Sequence, residues 1–265
     1  MKRVTIGQYY PAESAVHRLD ARVKLIGALF YITVLFFVGH PAGYGIAAFF
    51  IAAMILLSRV PPRLLFKGLR AILFILLFAA ALNIFLTPGE TELFSYSFVT
   101  VTREGLISAA RMASRLILLI VGSSILTLTT SPIRLTDAIE YLLKPLKKIK
   151  VPAHEIAMMI TIAMGSVPML MDETERIMKA QAARGADFET GGLIKKAKSL
   201  IPLLVPLFYS AFRRAEEMAV AMDARCYRGD HNRTKMKEMK LAKRDAAAIT
   251  VLAAFGALLF ATRFW

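Results

Sequence analysis

Two arginines occupy corresponding places in the second half of the chain, each between an alanine and a small residue. They lie in Ala183-Arg184-Gly185 and in Ala224-Arg225-Cys226. A small neighbour lets the end of a helix enter a groove, where a guanidinium can form a bidentate pair with a carboxylate. For one copy alone, the arginine would more simply offset the negative end of its helix dipole. The recurrence predicts two positive helix tips that engage two similar partners.

Residue patterns typical of catalysis are missing from the sequence. His154-Glu155 begins a zinc-protease pattern, but Met158 stands where the second histidine ligand would be. The single cysteine, Cys226, excludes an intrachain disulfide and a multi-cysteine metal site. A glycine-rich phosphate loop and a nucleophile-elbow motif are also absent from the sequence. We therefore predict a chain without catalytic residues, metal or cofactor of its own.

The composition indicates a membrane protein. Of 265 residues, 57% are hydrophobic, and 34 Lys and Arg stand against 19 Asp and Glu, a formal net charge of +15. The basic residues flank apolar runs and are not interleaved with aromatic residues on a soluble segment. Such an excess reflects membrane topology and anionic lipid, so we predict no nucleic-acid binding. Residues 1–24 are polar, and the apolar run after them is too long for a signal peptide.

The apolar runs predict an all-α membrane protein with about five transmembrane helices, since each span needs about 20 apolar residues. Residues 1–130 form an N-terminal membrane domain with spans at about 25–40, 43–58, 71–87 and 105–130. His40-Pro41-Ala42-Gly43 divides the first run into a hairpin, and Pro88-Gly89 ends the third span. Residues 246–265 form a C-terminal transmembrane helix.

The basic residues also predict the orientation of the chain. They concentrate before the first span, after the second and after the fourth, whereas acidic residues gather between the third and fourth. Positive flanks stay in the cytoplasm, which places the N-terminus inside and the C-terminus outside. Residues 131–245 then form a cytoplasmic domain. Residues 151–171 are apolar, but His154, Glu155 and Pro168 favour a protein-packed helix that lies against the membrane without crossing it.

Two long amphipathic helices are predicted in the cytoplasmic domain. The first covers residues 169–184 and is capped by Gly185. The second follows Pro206 over residues 207–226, about 30 Å long. A left-handed cap at Cys226 costs about 1 kcal/mol, so this helix could instead continue to Arg228 and cap on Gly229.

Methionine is concentrated in the same domain, which holds ten of the 13 in the chain. Flexible methionines suit a surface that repacks against different partners, and they also fill ordinary cores. These ten are Met158, Met159, Met164, Met169, Met171, Met178, Met218, Met222, Met236 and Met239.

Four stretches resemble the transmembrane T component of energy-coupling factor (ECF) vitamin transporters, and the resemblance covers essentially the whole chain. They run from Ser14 to Leu25, Leu126 to Ile160, Ala180 to Phe188 and Ile201 to Tyr227. The last two carry the paired Ala-Arg-Gly signature of that family. The residue sequence resembles the general T component more than the T components dedicated to cobalt or nickel. A component dedicated to cobalt or nickel remains an alternative. One departure is Gly165, which stands in the place of an arginine usual in the family.

The resemblance implies a non-catalytic subunit of the bacterial cell membrane with three kinds of contact. Two ABC-type ATPase subunits, which bind ATP-Mg, would dock on the two Ala-Arg tips. A small, exchangeable substrate-binding S component would lie against this chain and topple during the cycle. Arg115, Met158, Met159 and Met164 are candidates for contact with the S component or with another helix.

Two other classes of function have less support in the sequence. An intramembrane enzyme needs convergent ionisable groups within the spans, where the sequence offers Asn83, Arg111 and Arg115 but no carboxylate. A self-sufficient secondary transporter would be expected to show an inverted repeat, and none is visible.

Overall fold

The computed structural model describes residues 9–87, 91–96, 99–149, 152–186, 188, 192, 194, 199–229 and 241–262. Its helices are α1 (Ala21–Phe36), α2 (Pro41–Ser58), α3 (Pro62–Leu86), α4 (Arg103–Thr129), α5 (Pro132–Leu143), α6 (Ala153–Ala183), α7 (Ile201–Ala224) and α8 (Lys243–Ala261). A 3-10 helix, Lys144–Ile149, follows α5. The chain divides into a first unit, which reaches Ala138 and includes α8, and a second unit that begins at Ile139.

The number of membrane-length helices agrees with the sequence, but the set differs, since α6 qualifies and α1 does not. Among the described residues, four helices, α2, α4, α6 and α8, are long and apolar enough to cross a membrane. Helix α3 is bent by 56° between Pro62–Arg70 and Ile72–Phe85 and makes a fifth if it counts as one span. The predicted class, an all-α membrane protein, is confirmed. Because α6 passes on length and composition alone, the membrane placement of residues 151–171 stays a prediction.

Several helix bounds differ from those predicted. Helix α1 was expected over 25–40 but begins at Ala21, because the Asp20 side chain accepts a hydrogen bond from the Arg22 N–H and caps it. At 16 residues it is shorter than a usual span. Helix α3 begins nine residues before the predicted 71. Pro88-Gly89, Met236, Met239 and residues 263–265 lie outside the described residues.

A small antiparallel hairpin, which the sequence did not predict, lies between α3 and α4. Its strands are β1 (Glu92–Tyr96) and β2 (Val99–Thr102), with Tyr96 opposite Val99 and Glu92 opposite Thr102. Thr102 also caps α4, since its hydroxyl accepts a hydrogen bond from the Gly105 N–H at 3.1 Å. The hairpin therefore leads directly into the longest helix of the first unit.

The core of the first unit is an aromatic stack between α1, α2 and α8. The Phe50 and Phe255 ring centroids lie 4.2 Å apart, and Tyr31 stacks on both. The Tyr31 hydroxyl donates to the Leu118 carbonyl of α4 at 3.1 Å. Gly122 of α4 faces this ring so closely that an added Cβ would collide with it. The close approach of α1 and α4 thus depends on a glycine.

The Asp245 side chain links the start of α8 to the start of α1. The buried Asp245 carboxylate of α8 accepts from the Asp20 backbone N–H at 2.8 Å and from the Ala242 N–H at 2.7 Å. Asp20 is also the cap of α1. The starts of α1 and α8 are therefore held side by side.

The second unit is built on α6 and α7. Helix α6 has 31 residues, about 46 Å, and runs through Pro168 without interruption. The sequence had predicted two pieces here, but one proline removes a single backbone hydrogen bond, and the helix continues on both sides of it. Helix α7 begins at Ile201 instead of after Pro206, because Pro202 lies in its first turn, where proline is favourable.

Candidate functional site

The first tip is the C-terminus of α6. The Gly185 N–H donates to the Ala182 carbonyl, and the Ala186 N–H donates to the Gln181 carbonyl, both at 3.0 Å. Gly185 has φ +87°, the left-handed conformation. These two bonds and this φ define a Schellman motif, which closes the helix with Arg184 at its cap.

The second tip, at the C-terminus of α7, has the same hydrogen bonds. The Cys226 N–H donates to the Asp223 carbonyl at 2.9 Å, and the Tyr227 N–H donates to the Met222 carbonyl at 3.1 Å. Cys226 has φ +56° although it carries a side chain. The helix therefore ends at Ala224 with Arg225 at its cap, and it does not continue to Arg228.

Both arginines are free to bind a partner. All six residues of the two tips, Ala183–Gly185 and Ala224–Cys226, are exposed. Within the described part of the chain, neither the Arg184 nor the Arg225 guanidinium has a hydrogen bond or an ion pair. Arg213 of α7, in contrast, pairs with Glu217 at 3.0 Å. An unpaired guanidinium presents its planar set of donors to an incoming carboxylate.

The methionines of α6 lie partly on an exposed face. Met159 is 61% exposed and Met164 is 36% exposed, whereas Met158 is half-buried. Helix α7 presents an exposed aromatic row of Phe208, Tyr209 and Phe212. Contiguous exposed apolar side chains of this kind mark surfaces for protein or membrane contact.

Gly165 of α6, which the sequence analysis singled out, faces open space. An added Cβ there would meet no heavy atom within 4 Å. The backbone at this position therefore does not require a glycine for lack of space.

Arg115 lies in the first unit and joins helices. Its guanidinium donates to the Val38 carbonyl and to the Tyr44 hydroxyl, both at 2.9 Å. The Tyr44 hydroxyl donates in turn to Val38 at 3.2 Å. Arg115 of α4 thus holds the turn of the α1–α2 hairpin, whereas Arg111 is exposed.

Sequence reasoning missed a part-buried contact between His154 and Glu140 in the second unit. His154 Nδ1 lies 3.1 Å from Glu140 Oε1, and this contact joins α5 to α6. The sequence had considered His154 only as half of a zinc motif. Among the described residues no group of three or more potential metal ligands occurs. Glu140 and His154 are 14 residues apart with a 3-10 helix between them, and this spacing matches no known sequence motif.

Comparisons with known proteins agree on one family. A family model described as "CbiQ: Cobalt transport protein" matches residues 12–236. The chain is 54% identical to the energy-coupling factor transporter transmembrane protein EcfT of Clostridium kluyveri, over 100% of this chain and 98% of that one. It is 49% identical to the EcfT of Acidaminococcus fermentans, covering 97% and 96% of the two chains. It is 43% identical to the EcfT of Bacillus subtilis, covering 99% of each.

Proposed function

This chain belongs to the CbiQ family, among the EcfT transmembrane proteins of energy-coupling factor transporters, and we propose that it couples ATP hydrolysis by partner subunits to the uptake of a vitamin or another micronutrient. The family resemblance found in the sequence is confirmed. The chain is a multi-pass membrane component of a transporter, a non-catalytic subunit that works with partner subunits.

The matched helix tips carry this proposal. Two helices end in the same Schellman motif, and each presents an exposed arginine next to an alanine. Two tips of the same geometry suit two similar partners, so one ABC-type ATPase subunit docks on Arg184 and a second on Arg225. Closure of the ATPases around ATP-Mg then moves the two helices. Each guanidinium pairs with a carboxylate of its ATPase, an interaction strengthened when docking excludes water.

The exposed apolar faces support a third partner. Met158, Met159 and Met164 on α6 and the aromatic row on α7 form a surface that an apolar membrane protein can cover. Methionine adapts its shape to different partners, which suits a set of exchangeable S components. Because Arg115 is bonded to Val38 and Tyr44, the methionines are the better candidates for this contact.

A second candidate function is uptake of cobalt or nickel. The description of the matching family model, a cobalt transport protein, favours it. The relatives named EcfT, 43% to 54% identical over nearly their full length, favour the general type with several S components.

Purification of the full-length tagged chain in mild detergent tests both candidates. We expect two ATPase chains and a mixture of small membrane proteins to accompany it. Recovery of the chain without ATPases would overturn the coupling role. A single accompanying membrane protein, together with uptake of labelled cobalt that depends on this chain, would favour the metal-dedicated type.

A further inference from the structure

A cavity of about 390 Å³ lies in the first unit, between the start of α1, the end of α2, the end of α4 and the start of α8. It is within the size range of small-molecule sites, roughly 300–1,000 Å³. Its walls are almost wholly apolar and include Val23, Tyr31, Met54, Ile125 and Leu252. Lys24 and Arg244 are the charged residues in its lining. We propose that this cavity holds an acyl chain of an anionic phospholipid from the cytoplasmic leaflet, with the lipid phosphate bound by Lys24 and Arg244.

The position of the cavity along the helices matches one leaflet. Lys24 lies in the first turn of α1, and Arg244 lies in the first turn of α8. From Lys24 the lining continues to Tyr31, seven residues or roughly 10 Å along α1. On the predicted topology, all four contributing helix ends are cytoplasmic. The cavity therefore has its basic end at the membrane surface and its apolar end inside the bilayer.

Glycines shape the wall of this cavity. Gly27 and Gly122 both line it. A Cβ on Gly27 would lie 2.7 Å from Leu252 Cδ1, so the helices meet closely there while the adjoining space stays open. An apolar cavity with two cations in its lining suits an alkyl chain with an anionic head.

Lys24 and Arg244 each have N–H donors that are available to a ligand. Lys24 Nζ donates to the Thr129 carbonyl at 2.9 Å and to the His17 carbonyl at 3.3 Å. An ammonium has three donors, so one remains. Arg244 is exposed, and within the described part of the chain its guanidinium has no hydrogen bond or ion pair. Arg134 lies close enough to Lys24 to repel it electrostatically.

The carboxylates of Asp20 and Asp245, which lie near Lys24, already accept hydrogen bonds from other groups. Asp20 and Asp245 both attract Lys24 electrostatically. Asp20 accepts from the Arg22 N–H at 2.9 Å and lies 3.3 Å from Arg22 Nε. Asp245 binds two backbone N–H groups, of Asp20 and Ala242. Lys24 and Arg244 line the cavity, whereas no carboxylate is among its described lining residues, and this imbalance favours an anionic headgroup over a zwitterionic one.

Native mass spectrometry of the full-length chain in detergent tests the proposal. The chain is titrated with dioleoylphosphatidylglycerol or with dioleoylphosphatidylcholine, and the lipid retained per chain is counted. We expect one tightly retained phosphatidylglycerol. Ala248→Phe, which fills the cavity, should abolish this retention, whereas Ala253→Phe, on the same helix but outside the lining, should preserve it. Arg244→Gln should weaken phosphatidylglycerol about fivefold and leave phosphatidylcholine unchanged.

Several outcomes of this experiment would contradict the proposal. Equal retention by Ala248→Phe and Ala253→Phe, or an equal preference for the two lipids in the unmodified chain, would overturn the proposal. A retained detergent molecule that phosphatidylglycerol cannot displace, or a dimer of this chain that closes the cavity, would overturn it too. If Ala248→Phe fails to fold, the exposed Arg244→Gln and the smaller filling variant Ala28→Leu still decide the question.

Discussion

Gly185 and Cys226 occupy the same position in two helix ends with the same pair of hydrogen bonds. Their φ angles are +87° and +56°, and an arginine at the helix cap precedes each of them. Glycine adopts this left-handed conformation without steric cost, whereas a residue with a Cβ is strained by roughly 1–2 kcal/mol. The two tips are therefore alike in geometry but unequal in energy.

Replacement of Cys226 by glycine should stabilise the second tip. We expect Cys226→Gly to raise the free energy of unfolding by about 1 kcal/mol, because the strain at φ +56° is removed. Cys226→Val should lower it, since a β-branched residue tolerates this conformation least. Chemical denaturation of the chain in detergent measures both. An identical stability for cysteine, glycine and valine would show that the cap is not strained.

Removal of both tip arginines should separate the chain from its ATPases. In Arg184→Ala/Arg225→Ala, we expect recovery of the ATPase subunits to fall at least about tenfold, because the carboxylates of the partner lose their bidentate donors. Both side chains are exposed, so the amount of chain in the membrane should not change. Quantitative co-purification provides the measurement.

The matched control is Arg176→Ala/Arg213→Ala, which removes two exposed arginines from the sides of the same helices. Arg213 pairs only with the exposed Glu217 of its own helix, an interaction worth about 0.3–0.5 kcal/mol. If this control loses the ATPases as completely as the tip variant, net positive charge rather than the tips governs docking.

Arg115 and Tyr44 should be energetically coupled. Tyr44→Phe removes the hydroxyl that accepts from Arg115 and donates to Val38, at a cost of about 1 kcal/mol. In Arg115→Met the same tyrosine substitution should cost less, since one of its hydrogen bonds is already lost. Thermal unfolding of the four combinations measures the coupling. Arg111→Met, on an exposed side chain of the same helix, should leave the cost of Tyr44→Phe unchanged, and additivity in the Arg115 cycle would contradict the contact.

Acidification should loosen the segment before α1 through His17. Burial lowers the pKa of this imidazole below its ordinary 6.5, and the nearby Lys24 cation lowers it further. Nδ1 lies 2.7 Å from the Ser14 hydroxyl, and Nε2 lies 2.9 Å from the Tyr10 carbonyl. The folded state therefore prefers neutral His17. Its contribution is complete above pH 6.5 and is lost as the pH falls from 6.5 through the lower pKa of the folded state.

The thermal unfolding temperature of the full chain, measured between pH 8 and pH 5, checks the His17 prediction. The unmodified chain should lose stability below about pH 6.5. His17→Gln should be less stable at pH 8 but should have a flatter profile over this interval. Parallel profiles for the two proteins would assign the acid sensitivity to other groups.

Local signals in the sequence predicted where the two helices of the candidate site end. The Ala-Arg tips were predicted from residue type and recurrence, and Gly185 was recognised as a helix cap. The location of the cap at Cys226 depended on tertiary context, because Gly229 also has a positive φ and the sequence alone does not distinguish them. Helix α6 continues through Pro168, and α7 begins before Pro206. Both helices contradict the general rule that proline breaks a helix.

Contacts between distant residues could not be read from the sequence. Arg115 was recognised as a costly charge within a span, yet nothing near it in sequence identifies Val38 or Tyr44 as its partners. The pair of Glu140 and His154 is likewise formed by packing of two helices. Periodicity predicts which residues share a helix face, whereas partners on other helices depend on how the helices meet.

The hydrogen bond from the Asp20 N–H to Asp245 spans 225 residues. A ribosome makes α1 first and α8 last, so the first helix emerges long before the carboxylate that secures its starting residue. Assembly of the first unit is therefore completed only after nearly the whole chain has been synthesised. A chain interrupted before α8 leaves the start of α1 without this acceptor, so the first unit stays incomplete until α8 has been made.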